Sequence, residues 1–182
     1  MAKYKNPRVG SPAVALDDAA AVCEVDPERV QSWTDEGLLP AHQVPPVAAK
    51  KSDGRQWVLR SDVEALDRGE SLTPPAESHD DLRRVYAIEL EDCPRRAHRG
   101  KTCIYVGQSW HPPRARFLQH LLGYKAGRKH VTKWGVRLRP DLYGQVPVSR
   151  DSAEAERRER ALAQRLADDD YMIHGVPVRA SG

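Results

Sequence analysis

The stretch "KTCIYVGQSWHPPRARFLQH", residues 101–120, gathers several reactive side-chain types in a short run. Tyr105 and Gly107 close an apolar, strand-like segment, and Pro112 and Pro113 mark a turn. Arg116 and His120 then stand four residues apart, the spacing of neighbours on one helix face. A phenol, a guanidinium and an imidazole brought together in this way can hold an anion and move protons. The stretch is either ordinary strand-turn-helix grammar or half of an active site.

The surrounding elements decide whether these groups can meet. "RRVYAIELED" predicts a strand over 84–90, and "TCIYVGQS" a second over 102–108. The polar, basic connection 91–101 makes the pair a hairpin with a long loop. A helix is expected over 113–122, with Phe117, Leu118, Leu121 and Leu122 on its buried side. "WGVRL", 134–138, reads as a third strand. The clearest helix spans 151–170, capped by Asp151 or Ser152, with Ala155, Leu162 and Leu166 along one side.

This β-β-α-β-α order resembles the GIY-YIG nuclease family over about 86–175. "RVYAIEL" stands for the first motif, with Tyr86 as its tyrosine and Arg84 where glycine is usual. Tyr105-Val106-Gly107 stands for the second. Arg116 and His120 match the arginine and histidine of the following helix, and Glu159 matches the late glutamate, with Glu156 one turn earlier as its alternative. The resemblance implies phosphodiester hydrolysis. Tyr86 would be the base, Tyr105 a phosphate or water ligand, and Arg116 a fixed cation on the non-bridging oxygens. Glu159 would be the one carboxylate holding Mg²⁺, or Mn²⁺ in its place. Gly107 would keep the strand exit free of a side chain. A tyrosine with an ordinary pKa of about 10 is a poor base, so a cation is expected beside Tyr86, from Lys125, Lys129 or His120. Many members carry an asparagine after the last helix; this half has none, and His174 stands near that place.

Charge supports a polyanionic partner. Residues 112–150 hold nine basic residues and one acid, Asp141. "GYKAGRKHVTKW" sets Tyr124 and Trp134 among Lys125, Arg128, Lys129 and Lys133, a composition suited to a nucleic-acid groove. Cys93, His98 and Cys103 lack a fourth local ligand for zinc. Three cysteines at unrelated spacings suit a reduced, cytoplasmic setting, and no secretory signal or membrane-length apolar run is visible.

"GESLTPPAESHD", 69–80, reads as a linker that separates a first domain, 1–68, from a second, 81–182. Asp17 or Asp18 is expected to cap a first helix, and Asp26 with Pro27 to start a second that ends at Gly37. "RQWVLRS" predicts a strand with Trp57 and Leu59 on one face, and Ser61 or Asp62 a cap for a third helix. "LDDAAAVCEVDPERVQSWTDEGLLPAH" with "GRQWVLRSDVEALDRG" resembles the MerR and excisionase winged helix-turn-helix modules. That resemblance implies DNA contact through 27–36, with Arg29 and Gln31, and through a wing at 50–55, with Arg55.

The expected class is α+β: a small helical winged module followed by a β-β-α-β-α domain. The expected function is Mg²⁺-dependent DNA endonuclease activity. A non-catalytic DNA-binding regulator with a degenerate nuclease-like fold is the alternative. DNA is the expected partner, a membrane is not, and the oligomeric state stays open, a homodimer included.

Overall fold

The computed structural model describes residues 11–43, 55–72, 81–91, 100–123 and 129–178. The chain divides into two compact units, Met1–Ala76 and Glu77–Gly182. Each unit sets helices against a sheet of its own, so the class is mixed α+β. The wing at 50–54, most of the inter-unit segment (73–80) and the hairpin loop at 92–99 lie outside the described residues.

The first unit runs β1 (Ala13–Ala15), α1 (Leu16–Cys23), α2 (Pro27–Asp35), β2 (His42–Gln43), β3 (Gln56–Leu59) and α3 (Arg60–Asp67). Its antiparallel sheet has the order β1-β3-β2. Val14, Ala19, Val25, Val30, Leu39, Val58, Val63 and Leu66 form one apolar core. The expected Asp26 cap is present: its carboxylate accepts from the Glu28 N–H at 2.9 Å, and Pro27 opens the helix. The far end of α2 closes with the Leu38 N–H on the Trp33 carbonyl and the Gly37 N–H on that of Thr34, a Schellman pair.

Two expectations for this unit need correction. Neither Asp17 nor Asp18 caps α1; both lie inside its first turn, where they favour the positive end of the helix dipole. Neither Ser61 nor Asp62 caps α3, which begins at Arg60, its N–H bonded to the Pro12 carbonyl. In both cases a strand runs straight into a helix, and tertiary pairing replaces the cap. The expected strand is present as β3, with Trp57 and Leu59 buried on one face, and Val58 between them is buried on the other.

The second unit runs β4 (Arg84–Leu90), β5 (Cys103–Ser109), α4 (Pro113–Leu121), α5 (Lys129–Trp134), β6 (Gly135–Leu138), α6 (Pro140–Tyr143), α7 (Ser152–Asp168) and β7 (Met172–His174). The sheet order is β6-β4-β5-β7. β4 pairs antiparallel with β5 and β6, whereas β7 lies parallel to β5. Val85, Tyr86, Ala87 and Ile88 are buried in succession, so both faces of the central strand are covered. α4 packs on β4 and β6, and α7 packs on β4, β5 and β7.

β7, α5 and α6 are additions to the expected order. The buried side of α4 also differs: Phe117 and Leu118 are buried as expected, but Gln119 and His120 take places assigned to Leu121 and Leu122. Cys103 is disulfide-bonded while Cys23 is free, which corrects the reading of uniformly reduced cysteines and removes Cys103 as a thiolate ligand. Among the described residues no helix is long and apolar enough to cross a membrane.

Candidate active site

Strand register creates the site. Tyr86 on β4 lies opposite Gly107 on β5, and Ile88 lies opposite Tyr105. Side chains alternate along a strand, so Tyr86, Tyr105 and position 107 share one face. The two tyrosine rings stand 6.2 Å apart between centroids. A Cβ at position 107 would lie 2.8 Å from the Tyr86 hydroxyl and 2.9 Å from a Tyr105 ring carbon. Gly107 is therefore required less by the strand exit than by the tyrosine pair, which occupies the space a side chain would take.

α4 delivers the next group to the same point. His120 Nε2 is 3.0 Å from the Tyr86 hydroxyl, and the His120 ring stands edge-on to Tyr105 at 5.8 Å. His120 is 1% exposed. Burial, reinforced by the nearby Arg116 charge, lowers its pKa to about 4, so the ring is neutral at pH 7. Among the described residues its Nδ1 is buried without a hydrogen-bond partner.

Tyr86 is as deeply buried as His120. Burial raises its hydroxyl pKa well above the usual value, Tyr105 adds to the rise, and Arg116 draws it down by charge and hydrogen bonding. The cation beside Tyr86 is therefore Arg116. This corrects the expectation that His120 supplies the charge, since His120 is neutral; Lys125 lies outside the described residues, as does the side chain of Lys129. Arg116 is half-buried, and its Nη1 donates to Gln119 Oε1 at 2.9 Å. Gln119, which no sequence motif singled out, thus orients the guanidinium from within the same helix.

Glu159 is half-buried on α7. At about 100° per residue, position 159 falls within the stripe formed by buried Ala155, Leu162, Ala163 and Leu166. Glu156 lies just past the Ala163 edge of that stripe; it is exposed and pairs with Arg160 at 3.0 Å. Arg157 and Arg158 both bond Glu154. Among the described residues no group of three or more His, Cys, Asp or Glu side chains could hold a metal ion. A donor set of one carboxylate suits Mg²⁺, which keeps several waters, and does not suit Zn²⁺ or Ca²⁺, which need more protein ligands.

β7 brings one more residue to this face. His174 pairs in register with Tyr105, and Gly175 (φ +102°) folds against the Tyr105 ring and the Val106 carbonyl, leaving no room for a Cβ. "MIHG" is too short to announce a strand by itself; the pairing makes it one.

The expected DNA-contact residues are distributed differently. Lys125 and Arg128 lie outside the described residues. Lys133 stands 4.5 Å over the Trp134 ring. Arg137 and Arg139 bond Glu89, and Arg139 also bonds Asp141, so two of the basic residues in 112–150 are neutralised locally. In the first unit Arg29 bonds Asp67 and stacks on Trp33 at 4.9 Å, Gln31 donates to Asp35 at 2.7 Å, and Arg55 pairs with Asp18 at 3.6 Å.

No protein-family model, curated protein or solved structure matches the chain.

Proposed function

We propose that the second unit hydrolyses phosphodiester bonds in DNA, as a Mg²⁺-dependent endonuclease of the GIY-YIG type, and that the first is a winged helix-turn-helix module that targets it. The observation that carries this reading is the Tyr86 hydroxyl, held 3.0 Å from a buried histidine with Arg116 acting on the same oxygen.

In the proposed reaction Arg116 binds the non-bridging phosphate oxygens and so places phosphorus beside Tyr86. Tyr86 takes a proton from the attacking water while its phenolic proton passes to His120 Nε2. A tyrosine that relays a proton in this way need not ionise beforehand, so its raised pKa is no obstacle. Arg116 is one of the two causes that hold His120 low. A phosphate seated on Arg116 offsets that charge and makes His120 a better acceptor when substrate is present. Tyr105 orients the water or phosphate. A Mg²⁺ held by Glu159 would supply further charge stabilisation at the phosphate oxygens.

Arg84 in place of the family's glycine and the lack of asparagine in 81–182 favour the second reading, a DNA-binding regulator without catalysis. Incubation of the purified chain with supercoiled plasmid separates the two. Nicking with Mg²⁺ and none with EDTA supports the endonuclease; binding without nicking supports the regulator.

A further inference from the structure

We propose that His174 is the general acid of this reaction, giving its proton to the leaving oxygen of the phosphodiester. The proposal rests on the phosphodiester reading above and adds the group that reading lacks. Three neighbouring strands each set a proton-bearing side chain on one face: Tyr86 from β4, Tyr105 from β5 and His174 from β7. Tyr86 lies opposite Gly107 and His174 opposite Tyr105, two residues apart along β5. With strands about 4.8 Å apart and a rise of about 3.3 Å per residue, Tyr86 and His174 bracket β5 diagonally across about 12 Å. Displacement at phosphorus is in line, with the attacking water and the departing oxygen on opposite sides. Base and acid must therefore stand on opposite sides of the phosphate, and the flanking strands supply them. Gly175 fixes the end of β7, because its backbone lies against Val106 and Tyr105 where a Cβ has no space. His174 is half-buried, which leaves part of it open to a substrate.

The protons balance. Water adds to phosphorus as the P–O bond to the leaving alcohol breaks. One water proton goes to Tyr86 and the Tyr86 proton to His120, while the His174 proton goes to the alkoxide. The products are a phosphate monoester and an alcohol, with His120 protonated and His174 neutral.

The test uses the full chain and the linkage that the wild type cleaves, first mapped on duplex DNA. Two duplexes are compared, one with the natural bridging oxygen and one with sulfur as the leaving atom, because a thiolate departs without a proton. His174→Asn and His174→Gln are both measured, so that if one misfolds the other carries the result. The expected result is a loss of about 10²- to 10⁴-fold on the oxygen linkage, with the sulfur linkage cleaved at close to the wild-type rate. An equal loss on both linkages, or no loss on oxygen, overturns the proposal and leaves the phosphodiester reading standing. A wild-type chain that cleaves no linkage overturns both.

Discussion

The Tyr86 hydroxyl and His120 Nε2 lie 3.0 Å apart, joining β4 to the last turn of α4. The pair is neutral, and that neutrality has a stability consequence. His120 titrates at about 4 when folded against an ordinary value of 6.5. Because the folded value is depressed, its contribution is complete above pH 6.5 and is lost as pH falls toward 4. The loss is at most about 3 kcal/mol. Urea unfolding of wild type and His120→Gln should therefore give curves whose difference changes between pH 7 and pH 4. Parallel pH dependence in the two proteins contradicts the assignment.

Gly107→Ala should damage the site more than a surface mutation of equal size. The added methyl meets the Tyr86 hydroxyl at 2.8 Å and the Tyr105 ring at 2.9 Å. The strain should cost about 1–3 kcal/mol and displace Tyr86 from His120. Plasmid nicking and thermal melting should fall together. A fully active, equally stable Gly107→Ala protein contradicts the close packing described.

Glu159→Gln should abolish nicking and leave DNA binding intact, because the amide keeps the shape but loses the charge for Mg²⁺. Glu156→Gln is the control. It removes an exposed pair with Arg160, worth about 0.3–0.5 kcal/mol, and should nick normally. The reverse pattern moves the metal ligand one turn along α7. Normal nicking by both variants removes the single-carboxylate site altogether.

The engaged state of Arg29, Gln31 and Arg55 also makes a prediction. Exposed pairs of this kind contribute about 0–1 kcal/mol, so Arg29→Ala should melt within a few degrees of wild type. If α2 reads DNA, the same substitution should weaken binding to the preferred sequence and spare non-specific binding. Unchanged discrimination assigns Arg29 to the Asp67 contact alone.

Much of this was legible in the residues, and the exceptions share a cause. β4, β5, α4 and α7 are long enough for period and apolar runs to announce them. The Tyr86, Tyr105, Arg116 and His120 set could be named because its members sit on those elements. β1 and β7 are three residues each and exist through their pairing with β3 and β5. α1 and α3 start without side-chain caps because a strand leads directly into each. The same limit applied to the site. Spacing put Arg116 and His120 on one helix face, but only the folded register shows that Arg116, not His120, is the charge on Tyr86, and that His174 stands beside Tyr105.

The central claim is that Tyr86 works through its hydroxyl, and one substitution isolates that atom. Tyr86→Phe keeps the ring between Gly107 and Tyr105 and removes the oxygen bonded to His120. Leaving His120 Nε2 unpaired should cost about 1–3 kcal/mol, which urea unfolding will register without loss of the fold. Mg²⁺-dependent nicking of supercoiled plasmid by the folded variant should fall at least about 10²-fold while DNA affinity stays within twofold. Nicking at the wild-type rate by Tyr86→Phe would contradict the account.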